Sequence, residues 1–345
     1  MTPSLSRPAE VTPRPETQPS RRRGGRWWLR VAVSVAVLVW LLEHTSWQPL
    51  AELFVGMQMA WWVAAVSLYA VAQVVSSKRW QILARPLGFN APLNRFVALY
   101  YLGMFFSLFL PTSIGGDVVR AWTLAPEKGR RGAALLSVVS ERFSGLVALL
   151  MLALAATLFQ GAVLPWWTTA AVGGLALGMV GGLLALPVLQ RFSAKMDSLA
   201  QALSLGRQPR RHWWAALGLA FLVQAASIGQ IALVGHALGL AVPLLGYAVV
   251  VPLVSLLAML PLSLNGLGVR EGSLVLLLAP YGVAAPAAVA LGLAWFAMTL
   301  ALGLVGGLVY LCQGFSRWSP QEQDAHAIFG SDSDQGRVRE PAAAA

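Results

Sequence analysis

Apolar residues run through most of the chain without the alternation of a sheet or the single stripe of a soluble helix. Long apolar stretches recur at about Trp27–Leu42, Phe54–Val75, Leu93–Leu110, Gly132–Phe159, Val163–Val188, Trp213–Leu238, Leu244–Leu260 and Ala285–Cys312. At about 1.5 Å per residue, 18 or more such residues cross a bilayer core of roughly 30 Å. Backbone polar groups in lipid must bond within their own segment, so each run reads as a helix. The expected fold is therefore all-α, a polytopic integral membrane protein. Polar, Pro- and Arg-rich residues 1–26 and the polar, Ala-terminated residues 314–345 read as disordered tails. The domain between them is expected at 27–313.

Eight apolar runs do not require eight crossings. Eight straight spans would place Lys128, Arg130 and Arg131, and then the basic loop Arg191–Arg211, on the outer side, against the bias of basic residues toward the cytoplasm. A different reading takes Leu93–Leu110 and Leu244–Leu260 as limbs of re-entrant hairpins that enter, break and return. With the amino terminus cytoplasmic, all but Arg120, Arg142 and Arg270 of the 25 basic residues then fall on the cytoplasmic side, Arg79 included. The expectation is about six transmembrane helices plus two re-entrant hairpins.

The two broken segments share a short text. Leu110-Pro111-Thr112-Ser113-Ile114-Gly115-Gly116-Asp117-Val118-Val119-Arg120 aligns with Leu260-Pro261-Leu262-Ser263-Leu264-Asn265-Gly266-Leu267-Gly268-Val269-Arg270, Leu110 to Leu260 being an offset of 150 residues. The flanking runs align at a similar offset, which suggests repeat units at about 54–159 and 213–312. Under the charge-derived topology these units are inverted, and Gly/Pro-interrupted segments at matching places in inverted halves point to a midplane binding site.

Composition narrows the chemistry. The chain is 57% hydrophobic and 11% charged, with a formal charge of +11. That basicity is expected from topology rather than from nucleic-acid binding. Cys312 is the one cysteine, and His44, His212, His236 and His326 show no ligand spacing, so no metal site and no cofactor are expected. No Walker A, GxSxG or strand-borne GxGxxG sequence is present, and an enzyme is not expected. Trp27-Trp28, Trp61-Trp62, Trp166-Trp167 and Trp213-Trp214 fall near helix ends and read as interfacial anchors.

Charged residues within apolar runs are costly and therefore informative. Pro111 with Gly115-Gly116 is expected to break the helix, leaving N–H groups at the start of the next short helix as a seat for an anion. The plainer alternative is a loop capped by Asp117. Arg120 and Arg270 occupy equivalent places, and a guanidinium fork suits phosphate. They either clasp a headgroup phosphate, with Gly115, Gly116, Asn265 and Gly266 supplying the broken backbone, or pair internally, Arg120 with Asp117 and Arg270 with Glu271 or Glu141. Glu141 and Arg142 lie about ten residues into their helix and point about 100° apart, so they are expected to reach separate partners in the two hairpins. Asp117, Glu141 and Glu271 act either as counter-ions or as coupling carboxylates that bind protons.

These residues resemble the lysylphosphatidylglycerol synthase transmembrane region, the flippase-like domain family. The match comprises Pro111 with Gly115-Gly116-Asp117-x-x-Arg120, then Glu141-Arg142, then Asn265-Gly266-x-Gly268-x-Arg270-Glu271-Gly272, and it extends over about Trp27 to Gln313. The resemblance implies a prokaryotic plasma-membrane protein related to the part of the synthase that moves aminoacylated phospholipid between leaflets. No soluble aminoacyl-transferase domain accompanies it in this sequence, so lysyl transfer is not expected. Other members are linked to polyprenyl-linked sugars, which leaves the cargo open between phospholipid and polyprenyl-linked lipid. The leading expectation is lipid translocation. The rival is a non-transporting scaffold for a glycosyltransferase or lipid-modifying enzyme, and a third possibility uses Glu141 or Glu271 as a general base.

Overall fold

A computed structural model describes residues 47–109, 115–160, 166, 168–178, 210–259 and 266–313. These residues form helices and short turns. The helices are α1 (Trp47–Val55), α2 (Met59–Ala84), α3 (Leu93–Phe109), α4 (Gly115–Leu124) and α5 (Arg131–Gln160). The short apolar α6 (Thr168–Gly178) follows. Then come α7 (Arg210–Ala237), α8 (Leu244–Met259), α9 (Val269–Leu278) and α10 (Ala285–Gln313).

Among the described residues, four helices are long and apolar enough to cross a membrane: Met59–Leu87, Arg131–Phe159, Arg211–Ala237 and Ala285–Cys312. The expected first span, Trp27–Leu42, and both tails lie outside the described residues, as does much of Val163–Val188. Large apolar side chains such as Val71, Leu158, Leu222 and Leu308 stay exposed along these helices, which suits a lipid solvent rather than water.

The helix expected over Phe54–Val75 is displaced. Residues 47–55 form the separate α1, and α2 begins at Met59 and continues to Ala84. The apolar run ends at Ser76-Ser77-Lys78-Arg79, but nothing there breaks a helix. Pro86 stands in the first 3-10 turn beyond it, Arg85–Leu87, and Gly88 then turns the chain with φ +86. The polar stretch is therefore helical, and Ser76, Ser77, Arg79 and Gln81 are buried in protein.

Two series of elements share one order: long helix, shorter apolar helix, short helix, long helix (α2-α3-α4-α5 and α7-α8-α9-α10). Their packing is reciprocal. The first helices of the two series, α2 and α7, make the most extensive helix–helix contact among the described residues. The second helix of each series packs on the last helix of the other, α3 against α10 and α8 against α5.

Small residues permit this crossing. A Cβ at Gly306 would strike the carbonyl of Tyr101, one at Gly307 would meet the Phe105 ring, and one at Gly303 would meet Leu108. Close backbone approach of this kind is what packs helices together where lipid supplies no hydrophobic drive.

Candidate functional site

The site begins with α4. Gly115 and Gly116 are its first residues, and both are already helical. The reason for glycine at 116 is space: a Cβ there would collide with the carbonyl of Gly103 and with Ser107 Oγ on α3. The expectation that this pair supplies non-helical backbone is thus corrected. Gly116 lets α4 lie directly on α3. In the second series the broken backbone does fall at glycines, Gly266 with φ +77 and Gly268 with φ +82, a region that side chains disfavour. Pro111, Thr112 and Asn265 lie outside the described residues.

Asp117 stands in the first turn of α4 rather than before it, so it is not the cap that the plainer alternative required. Its carboxylate instead receives two arginines. Arg142 donates from Nε to Oδ2 and from Nη2 to Oδ1, both at 2.8 Å. Arg120 donates from Nε to Oδ1 at 3.0 Å.

Arg120 also donates from Nη2 to Glu141 Oε2 at 2.7 Å. The other carboxylate oxygen of Glu141 accepts from Nη2 of Arg79 and from the Tyr100 hydroxyl at 3.4 Å. The guanidinium of Arg120 lies 4.7 Å from the Trp80 ring centroid and 4.5 Å from that of Tyr100, contacts worth up to about 2 kcal/mol when desolvated. Trp80 is itself fixed by its Nε1–H, which donates to Ser137 Oγ at 2.9 Å. Arg79, Arg120 and Glu141 are all buried. Three arginines and two carboxylates from α2, α4 and α5 therefore form one network.

Two expectations change here. Arg79 is not a loop residue; it is a member of the buried network. Glu141 and Arg142 do diverge to separate partners, but among the described residues both stay within the first series, Glu141 pairing with Arg79 and Arg120 and Arg142 with Asp117.

The second series has a smaller counterpart. Arg270 donates to Glu271 Oε1 from Nε at 3.0 Å and from Nη2 at 2.6 Å. The other oxygen of Glu271 accepts the Gly268 N–H at 2.7 Å, satisfying a donor at the start of α9. Trp295 and Phe296 lie 5.7 and 5.6 Å from the Arg270 guanidinium carbon. The two arginines of the internal match, Arg120 and Arg270, thus pair internally, Arg270 with Glu271 rather than Glu141.

The two centres meet in one cavity of about 280 Å³. Asp117, Arg120 and Arg142 line it from the first series, and Ser255, Ala258, Arg270 and Trp295 from the second. Gly103, Met104, Ser107 and Leu108 of α3 complete the first wall, with Tyr69, Tyr100 and Thr299 beside them. Exposure separates the arginines: the Arg142 side chain is 51% accessible, that of Arg270 8% and that of Arg120 2%. Four arginines (79, 120, 142, 270) face three carboxylates (117, 141, 271), so one positive charge is uncompensated among these residues.

Two of the tryptophan pairs make contacts inside the protein, while Trp27, Trp28 and Trp167 lie outside the described residues. Trp62 Nε1 donates to the Ala294 carbonyl at 3.3 Å, Trp61 meets His236 edge-on at 4.8 Å, and Trp213 stacks on Phe143 at 6.1 Å.

Fold and site together define a multi-pass, all-α membrane protein with an arginine-rich cavity between two matched helix series. The chain belongs to the family of the lysylphosphatidylglycerol synthase TM region, whose sequence profile matches residues 27–307. No curated relative matches the chain.

Proposed function

We propose that the protein is a lipid translocase that takes an anionic, phosphate-containing headgroup into the cavity, and that it is not an enzyme. The observation that carries this reading is the shared cavity itself. It draws charged walls from both series, with arginine in excess over carboxylate. Buried guanidinium groups are expensive unless paired or needed, and an excess cation is stabilised when an anion is present.

The reciprocal packing of α3 with α10 and α8 with α5 supports an inverted repeat whose hairpins are α3-α4 and α8-α9. Rocking of one series against the other would expose the cavity to alternate leaflets. The placement of basic residues supports a plasma-membrane orientation with the amino terminus cytoplasmic. A phospholipid or a polyprenyl-linked lipid fits as cargo.

The test is transbilayer movement of phosphatidylglycerol labelled on its acyl chain in proteoliposomes, followed by quenching of the outer leaflet. Protein-dependent movement that falls in Arg270→Gln supports the reading. Movement no faster than in protein-free vesicles, together with co-purification of a glycosyltransferase or lipid-modifying enzyme, supports the scaffold alternative instead.

A further inference from the structure

Arg79 is tied at one corner only. Its Nη2 donates to Glu141, while Nε and Nη1 find no hydrogen-bond partner among the described residues. The side chain is 5% accessible, so bulk water does not reach those donors. A buried charged donor without an acceptor is costly, most of all at the depth of a membrane helix.

What Arg79 faces is a space defined by a missing side chain. Gly145 is buried on α5. A Cβ added there would stand 3.3 Å from Arg79 Nη1, 3.6 Å from its Nη2 and 3.7 Å from Gln224 Nε2. Gln224 reaches this place from α7. Its Nε2 donates to the Gly145 carbonyl at 3.2 Å and has a second N–H still to give. The nearest atoms that other helices bring to this point are thus all N–H nitrogens, supplied by α2 and α7.

Charge decides what such a place takes. Arg79, Arg120 and Arg142 face Asp117 and Glu141, so the network has one more positive charge than its carboxylates cancel. A water molecule would satisfy donors and leave that charge standing. One monovalent anion does both.

Packing decides its size. Gln224 already bonds α7 to Gly145 of α5, and α2 lies along α7 in extensive contact. A tetrahedral oxyanion would have to part these helices.

We infer that Arg79, Gln224 and Gly145 form a binding site for a small monovalent anion of the chloride class, which fastens α2 to α5 and α7. The site is separate from the cavity, whose lining includes none of these three residues. It does not rest on the translocase reading.

The experiment uses the purified full-length chain in detergent, with chloride itself as the probe. Sodium chloride replaces sodium gluconate at constant ionic strength, and thermal unfolding is followed by tryptophan fluorescence. An anion bound to the folded chain alone raises the melting temperature saturably, by about 5 °C at a hundredfold excess over its dissociation constant. Bromide should act as chloride does, and sulfate at the same ionic strength should not. Equilibrium dialysis with radiolabelled chloride should find about one ion per chain.

Two variants locate the ion. Gly145→Ala puts a methyl group beside Nη1 while leaving every charge in place. Arg79→Gln removes both the donor edge and the excess charge. Each should abolish the chloride-dependent rise. Arg270→Gln should keep it.

An equal rise in sulfate or gluconate, or less than half an ion bound by the wild type, overturns the inference without any variant. So does a rise undiminished in whichever of Gly145→Ala and Arg79→Gln folds, or one lost in Arg270→Gln, which would move the ion to the cavity. Lipid movement in proteoliposomes bears on the translocase reading alone: its absence, with chloride bound as described, leaves the anion site standing.

Discussion

Glu141→Gln probes the network most sharply, because one buried carboxylate serves two buried arginines. In the wild type, Arg79, Arg120 and Arg142 face Asp117 and Glu141, an excess of one positive charge. The substitution raises the excess to two while changing volume very little. Glutamine keeps one acceptor oxygen, but its amide donors then face guanidinium groups that cannot accept. Removing one partner of a buried ion pair costs about 3–5 kcal/mol, chiefly because a charge is left uncompensated. At about 2 °C per kcal/mol for a chain of this size, thermal unfolding in detergent should shift down by roughly 6–10 °C.

The double variant Arg79→Gln/Glu141→Gln restores the original excess charge and should recover at least half of that loss. The assay is tryptophan fluorescence against temperature, on proteins purified in parallel. A single variant melting within about 1 °C of wild type, or a double variant less stable than the single, would refute the reasoning that uncompensated charge is the cause.

Other outcomes follow from the same geometry. Gly116→Val should force α4 away from α3, since Gly103 and Ser107 already occupy that space; overpacking of this kind costs typically 1–3 kcal/mol, and yield of folded protein on size exclusion reads it. Gly306→Leu should separate α10 from α3 at Tyr101 and lower the melting temperature similarly, without touching any charged residue. Arg142→Gln should leave folding within about 1 kcal/mol of wild type, as expected for a half-exposed pair, yet slow translocation of labelled phosphatidylglycerol at least tenfold.

The long helices were legible because a span needs a run of apolar residues and the chain supplies them plainly. Leu93–Leu110, Gly132–Phe159 and Leu244–Leu260 match α3, α5 and α8 to within two residues. The misplacement lay at Arg79. Hydropathy falls at Ser76-Ser77-Lys78-Arg79 and the apolar run ends there, whereas a helix ends only where backbone geometry or solvation ends it. The absence of Gly or Pro between Ser76 and Ala84 was the available signal that the polar stretch stays helical. Glu141 and Arg142 were recognisable as costly residues with divergent directions, but angular separation on a helix does not say which neighbour each will meet. Nor could it: the partner depends on α4 lying against α3, and that in turn depends on the missing Cβ of Gly116.

One water-accessible chamber shared by the two series exposes both of its walls to the same aqueous reagent. Ser107→Cys and Ser255→Cys, each in a Cys312→Ser background so that one thiol remains, place a reporter on each wall. A membrane-impermeant charged thiol reagent should modify both in folded protein, and phosphatidylglycerol should slow both reactions together. Thiols that react only after denaturation, or protection of one wall and not the other, would contradict the account.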